Sequence, residues 1–170
     1  MNLTFEKISR DANRQNFDCG VDSLNEYLKK YAWQNFKKNV GVTILAFEKG
    51  KRDRILGYYT VSMAQINFEH LPPGLSKGLP RYPVPAIRIG RLAVDRSVLA
   101  KGVGSALLRN ALQRAIALST QLGTCAVLVE AISEQARSFY EHYGFVTLHD
   151  LPSSLVLPVT TIAQTYELDE

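Results

Sequence analysis

The stretch Arg91–Leu112, RLAVDRSVLAKGVGSALLRNAL, places two glycines, Gly102 and Gly104, between a segment of strand character and a segment of helix character. Its first half completes AIRIGRLAVD (86–95), whose apolar residues predict a strand. From Ser105 to about Leu122, Leu107, Leu108, Ala111, Leu112, Ala115 and Leu118 recur at helical spacing. A helix entered through Gly102-Val103-Gly104-Ser105 presents its first N–H groups without intrahelical partners, and its dipole makes that end partly positive. Without Cβ atoms at Gly102 and Gly104 an anion approaches the backbone closely, and Lys101 adds a formal charge. A tight turn needed only for packing also selects glycine, so both readings stand at this point. Spacing excludes two phosphate motifs. A P-loop ends in Gly-Lys-Ser/Thr, whereas Lys101 precedes the glycines; a dinucleotide fingerprint needs a third small residue where Leu107 stands.

Downstream, CAVLVEA (125–131) is a continuous apolar run of strand length, as expected of a strand covered on both faces. SEQARSFYEHYGF follows as a short helix, opened by Ser133 and Glu134 and closed by Gly144 as the residue after the C-cap. Upstream, CGVDSLNEYLKKYAWQNFKKN carries Leu24, Tyr27, Leu28 and Tyr31 on one helical stripe, with Asp22 or Ser23 as N-cap and Lys29, Lys30, Lys37 and Lys38 on the polar side. VTILAF (42–47), the turn KGKRD and ILGYYTVSM (55–63) predict a hairpin. Between Leu71 and Pro85, five prolines and two glycines predict a long, stiff surface loop. The tail through TIAQTYEL is read as a last strand. The order is helix, strand, strand, loop, strand, glycine turn, helix, strand, helix, strand, which is a mixed α/β domain with helices packed on a sheet.

A chain of 170 residues is long enough for one domain with a core, so residues 1–170 are expected to form a single globular unit. No apolar run approaches the roughly 18 residues of a membrane helix. MNLTFEKISRD lacks a signal-peptide pattern, and a cytoplasmic location is expected by default. Cys19 and Cys125 make neither a disulfide framework nor a metal cluster, and no metal is expected. The net charge of +4 is uneven: 11 basic against 7 acidic residues in 1–60, 7 against 2 in 61–110, and 2 against 7 in 111–170. That gradient is compatible with a polyanionic partner or a phosphate-bearing cofactor.

Adjacent Phe139 and Tyr140 point about 100° apart on a helix, so both cannot face one core surface, and one is left for other work. Taken in order, IGRLAVD, LAKGVGSALL and ISEQARSFYEHYGF resemble the strand, pyrophosphate loop, second strand and tyrosine-bearing helix of the GNAT family of acetyl-CoA-dependent N-acetyltransferases. With FDCGVDSLNEYL and PVPAIRIGRLAVD, the likeness narrows to the GNAT toxins of bacterial toxin–antitoxin modules, which acetylate the amino group of aminoacyl-tRNA and stop translation.

The resemblance implies the GNAT fold, a mixed, mostly antiparallel sheet splayed at the cofactor site with helices on both faces. It implies that Leu92, Ala93 and Val94 offer backbone groups to the pantetheine arm. The loop Leu99, Ala100, Lys101, Gly102, Val103, Gly104 and Ser105 holds the pyrophosphate, Ser133 and Phe139 are further cofactor contacts, and Tyr140 lies by the thioester sulfur. The family's loop often begins with Gln or Arg followed by Gly, and here those positions are Leu99 and Ala100. The partners implied are aminoacyl-tRNA, a cognate ribbon-helix-helix antitoxin and a second copy in a homodimer. Lys29, Lys30, Lys37, Lys38, Arg88 and Arg91 are the expected tRNA contacts, and each phosphate contact makes binding fall with salt.

The chemistry is consistent with these residues. A tyrosine of reference pKa about 10 is protonated at neutral pH and can donate to a thiolate whose conjugate acid lies near 8.5, so Tyr140 is the expected general acid. An α-amino group of pKa about 7.8 is already roughly one-seventh neutral at pH 7, whereas lysine is neutral on the order of 0.04% of the time. An α-amino substrate hardly needs a strong base, and neither Glu130 nor His142 or His149 is placed as one. Two other readings compete. One is a GNAT enzyme acting on a protein N-terminus or a small amine; the other is a nucleic-acid-binding module without catalysis, which would not require the glycine corner together with Tyr140.

Overall fold

The computed structural model describes residues 1–167. The chain runs β1 (Leu3–Lys7), α1 (Asp22–Glu26), a π-helical turn (Tyr27–Tyr31), α2 (Ala32–Lys37), β2 (Val42–Glu48), β3 (Gly57–Ile66), α3 (Pro73–Ser76), β4 (Val84–Val94), α4 (Val103–Leu122), β5 (Ala126–Glu130), α5 (Glu134–His142), β6 (Val146–Leu148), β7 (Leu151–Pro158) and α6 (Val159–Glu167). The strands form a mostly antiparallel sheet in the order β1-β2-β3-β4-β5-β7-β6, in which β4 and β5 are parallel. Two compact units divide the chain, one of Met1–Ser62 with Gly90–Ala111, the other of Met63–Ile89 with Leu112 onward.

In the first unit, β1 pairs antiparallel with β2 from Leu3↔Glu48 to Lys7↔Ile44, and β2 with β3 from Val42↔Val61 to Ala46↔Gly57. The expected hairpin forms, and β1 is an addition that polar LTFEK did not announce. Phe17, Tyr27, Leu28, Leu45, Phe47, Tyr58 and Ala93 share one apolar core. Tyr58 packs edge-on against Phe17 at 5.5 Å and stacks with Tyr27 at 6.4 Å, and its hydroxyl donates to the Leu24 carbonyl at 2.6 Å. Burial pushes that hydroxyl well above the usual tyrosine range. Tyr59 donates to Asn110 Oδ1 at 2.6 Å, tying β3 to α4.

The helical segment is present but differs in two details. Its N-cap is Val21, without a side-chain cap, rather than Asp22 or Ser23. The network ahead of the helix explains this. Asp18 Oδ1 accepts from Gly20 N and Asn25 Nδ2, and Asn25 Oδ1 accepts from Cys19 N, so the turn is satisfied from outside the cap position. The wider π-turn also rephases the apolar stripe: Tyr27, Leu28 and Ala32 are buried, whereas Tyr31 is 49% exposed.

In the second unit, β5 lies between β4, parallel from Ala86↔Ala126 to Ile89↔Val129, and β7, antiparallel from Ala126↔Pro158 to Glu130↔Ser154. Both edges of β5 are paired and residues Ala126 to Val129 are buried, as the continuous apolar run predicted. The proline-rich stretch is not wholly a loop. Pro72 is extended, as a residue before proline must be, and Pro73 opens the single turn α3 with its φ already set. Leu71 and Val84 are buried on either side, with Leu75 and Leu79 packed against the same core.

The tail is corrected outright. Val159–Glu167 is helix, with Ile162 buried, and the final strands precede it as the β6–β7 hairpin. β7 already occupies the place beside β5, and Val159 N donates to Cys125 O at 3.0 Å where the chain leaves the sheet. The β-branched TIAQT pattern therefore has no strand to join there and coils. Leu168, the end of the quoted tail, lies outside the described residues. No helix among the described residues is long and apolar enough to cross a membrane.

Candidate functional site

The first unit holds the end of β4 and the glycine corner. Ala93 is buried, with Leu92 and Val94 half-buried beside it. The strand does not feed the helix directly. Asp95 caps a 3-10 turn, Arg96–Val98, and the loop Leu99 to Gly102 then leads to α4, whose first residue is Val103. Gly104 and Ser105 thus belong to the first helical turn, and Gly102 alone of the two glycines has a positive φ, +80°.

Nothing lies within 4 Å of where a Cβ on Gly102 would sit, so the corner is open over that backbone. Ala106 N donates to Gly102 O at 3.1 Å, and the N–H groups of Val103, Gly104 and Ser105 precede the helical ladder. Buried Val103 fixes the turn from below, and Lys101 is exposed beside it. An open corner at the positive end of a 20-residue helix fits a diphosphate.

Ala100 departs from this economy, since its φ is +60°. A left-handed backbone costs alanine about 1–2 kcal/mol, against glycine's extra unfolded freedom of about 0.4–1 kcal/mol. Ala100→Gly is therefore expected to stabilise the protein by about 0.5–1 kcal/mol, raising Tm by roughly 1–4 °C. A lowered midpoint in thermal unfolding would show that the methyl group packs usefully. Leu99, 58% exposed, offers no polar contact at the position where the family often has Gln or Arg.

The missed residue is Asp95, only 2% exposed. Its Oδ1 accepts from Ser97 N at 3.0 Å, Ser97 Oγ at 2.6 Å and Arg54 Nη2 at 3.1 Å, and its Oδ2 accepts from Asp18 N at 3.0 Å. Burial alone would raise its pKa, but the Ser97 and Asp18 hydrogen bonds and the Arg54 charge hold the carboxyl below the usual range. The signal available in the sequence was the Asp-Arg-Ser triplet closing a strand, a pattern in which Asp caps the following turn.

Of the basic residues, Lys30 is paired with Glu26 at 3.3 Å and Lys29 is half-buried. Lys37 lies 5.9 Å over the Trp33 ring and Lys38 is exposed at the end of α2. Arg91 stands 3.6 Å over the Tyr27 ring. These five share the first unit, whereas Arg88, exposed on β4, belongs to the second.

The second unit holds α5, positioned as the sequence indicated. Ser133 Oγ caps it by accepting from Ala136 N at 3.1 Å, and Gly144 leaves it at φ +93°. Arg137 donates to Thr147 Oγ1 at 2.9 Å and lies near Glu134 and Glu141. Of the adjacent aromatics it is Tyr140 that is buried, 6% exposed, and Phe139 that is half-buried. The Tyr140 ring meets Phe139 at 5.3 Å and Phe145 at 5.5 Å, both edge-on. Burial pushes its hydroxyl up to about 12, above the reference value assumed from sequence. Glu130 accepts from Ser154 Oγ at 3.3 Å, and exposed His149 lies 3.5 Å from Asp150.

The profile of the acetyltransferase (GNAT) domain matches residues 40–147. A tRNA-acetylating toxin from Mycobacterium tuberculosis (strain ATCC 25618 / H37Rv) is 32% identical over 151 residues, 89% of each chain. A probable toxin TacT from Sinorhizobium fredii (strain NBRC 101917 / NGR234) is 27% identical over 164 residues, 89% of this chain and 90% of that one. Among solved structures, a tyrosine-to-phenylalanine variant of KacT has a TM-score of 0.91 at 29% identity, covering 97% of this chain and 99% of its own. AtaT complexed with acetyl-methionyl-tRNAfMet has a TM-score of 0.90 at 28% identity, with coverages of 97% and 99%. A tyrosine-to-phenylalanine variant of AtaT bound to the C-terminus of the antitoxin AtaR and acetyl-CoA has a TM-score of 0.82 at 25% identity, covering 98% and 99%.

Proposed function

This chain belongs to the GNAT family of acetyltransferases, and from that premise we propose that it is a toxin that acetylates the α-amino group of aminoacyl-tRNA, blocks translation and is neutralised by a cognate antitoxin. It is an N-acetyltransferase with acetyl-CoA as donor. When bound, acetyl-CoA supplies the acetyl group activated as a thioester. The observation that carries the substrate is coverage: the likeness to AtaT bound to acetylated methionyl-tRNA takes in 97% of this chain, the lysine-bearing helical segment included. An acyl-donor half alone would not extend so far.

Each group then has a role. The backbone of Leu92, Ala93 and Val94 receives the pantetheine arm, and the loop from Leu99 to Ser105, with Lys101, receives the diphosphate. Ser133 and Phe139 complete the cofactor contacts. Tyr140 holds a proton on its phenol for the departing sulfur. The α-amino substrate brings its own nucleophile, since about one-seventh of it is neutral at pH 7. Lys29, Lys30, Lys37, Lys38, Arg88 and Arg91 meet tRNA phosphates, and the partners are a ribbon-helix-helix antitoxin and a second copy of the chain, in the cytoplasm.

The deciding experiment is transfer of label from acetyl-CoA to a pool of charged tRNAs. Label on the aminoacyl group supports the reading. With acetyl-CoA bound but no charged tRNA labelled, the substrate would instead be a protein N-terminus or a small amine.

The basic segment yields a separate expectation. Replacing Lys37 and Lys38 together by Glu should weaken tRNA acetylation about tenfold or more at low salt and flatten the plot of log affinity against log salt by about one to two units. Acetyl-CoA binding should be unchanged. Unaltered tRNA kinetics would remove both lysines from the interface.

A further inference from the structure

A ligand recognised at two places gains most affinity when those places are already held at the right spacing, because ordering them on binding costs free energy. In the first unit the end of β4, Leu92 to Val94, and the glycine corner, Leu99 to Ser105, are separated by the few residues of the Asp95 turn. That turn is fastened from three directions. Arg54 and the Leu56 carbonyl, between β2 and β3, hold the Asp95 side chain and its N–H, the latter at 2.9 Å. Asp18, ahead of α1, donates to Asp95 Oδ2 and accepts from Arg96 N at 2.9 Å, with the Arg96 guanidinium 3.6 Å from its carboxylate. Ser97 contributes both its N–H and its hydroxyl.

Four donors converge on the two oxygens of one buried carboxylate. An asparagine there has a single acceptor oxygen, and in either orientation its NH₂ faces donors, so at least one existing bond is lost and replaced by an opposed donor pair.

We infer that Asp95 is a positioning residue for acetyl-CoA: by clamping Arg54, Asp18 and Ser97 it fixes the diphosphate corner relative to the end of β4, so that both arms of the cofactor bind without reorganisation. This rests on the acetyl-CoA assignment above. The role differs from a purely structural one, because what it sets is the distance between two half-sites rather than either half-site alone.

The test compares Asp95→Asn with the wild type for binding of coenzyme A and of ADP, which carries the diphosphate but no pantetheine. Coenzyme A should bind about tenfold more weakly or worse, ADP should change less than about threefold, and KM for acetyl-CoA should rise with kcat and the KM for tRNA retained. Equal losses for coenzyme A and ADP, or no loss for either, would overturn the proposal. If Asp95→Asn does not melt cooperatively, Ser97→Ala combined with Arg54→Ala keeps the carboxylate and removes two of its donors. That pair should show the same split in smaller measure, and no split would overturn the proposal equally. A wild type that binds neither coenzyme A nor ADP would instead remove the cofactor assignment itself.

Discussion

Replacing Tyr140 by phenylalanine is expected to lower acetyl transfer about 10²–10⁴-fold, the range that general acid catalysis contributes, with acetyl-CoA affinity changed less than about twofold. The ring is kept, and with it the edge-on contacts to Phe139 and Phe145, so α5 should fold unaltered. Only the phenolic proton is lost. Because burial raises the hydroxyl to about 12, the wild type should hold this proton across the whole working range. The profile of kcat/KM against pH should therefore rise through the amine's pKa, near 7.8, and show no alkaline fall due to Tyr140 below about pH 11. The same raised value makes donation to a fully formed thiolate uphill by several pKa units, so the proton must move as the bond to sulfur breaks. A variant within threefold of wild type would reduce Tyr140 to a core residue.

The second large effect is expected at Gly57. A Cβ there would lie 2.8 Å from Leu107 Cδ1, 2.9 Å from the Ala93 carbonyl and 3.3 Å from Val103 Cγ1. Leu107 can rotate, but the Ala93 carbonyl is backbone of β4 and moves only with the strand. Gly57→Ala should destabilise the protein by about 1–3 kcal/mol through overpacking, lowering Tm by roughly 3–10 °C for a chain of this length. Displacing Ala93 also disturbs Leu92 and Val94, so coenzyme A affinity should fall with stability. Gly41→Ala is the control: its Cβ meets only Val61 O, at 3.7 Å, and stability should hold within about 0.5 kcal/mol. Equal melting of Gly57→Ala and wild type would show that β4 and α4 yield readily.

What was legible in the sequence is what local chemistry dictates. Ser133 and Gly144 bracket α5 because an N-cap hydroxyl and a left-handed residue after the C-cap act within one turn of the helix they end. The apolar run of β5, the hairpin of β2 and β3, and the glycine corner before α4 are likewise readable from neighbours along the chain. The family resemblance rested on the strand IGRLAVD, the glycine corner and the tyrosine-bearing helix taken in order, narrowed by FDCGVDSLNEYL and PVPAIRIGRLAVD.

What escaped depends on partners far away in sequence. Asp95 is a hub because Asp18 and Arg54 reach it across 77 and 41 residues, and Gly57 must be glycine because Ala93 and Leu107 pass over it. Val159–Glu167 coils although its residue types suit a strand, since β7 already lines β5. By itself the sequence determined the two ends of α5, the buried run of β5, the β2–β3 hairpin and the glycine corner, because capping, turn chemistry and periodicity are short-range. Only the tertiary structure decided which carboxylate clamps the corner, which aromatic of α5 is buried and which glycine is irreplaceable, because burial and close approach are properties of surfaces brought together by the fold.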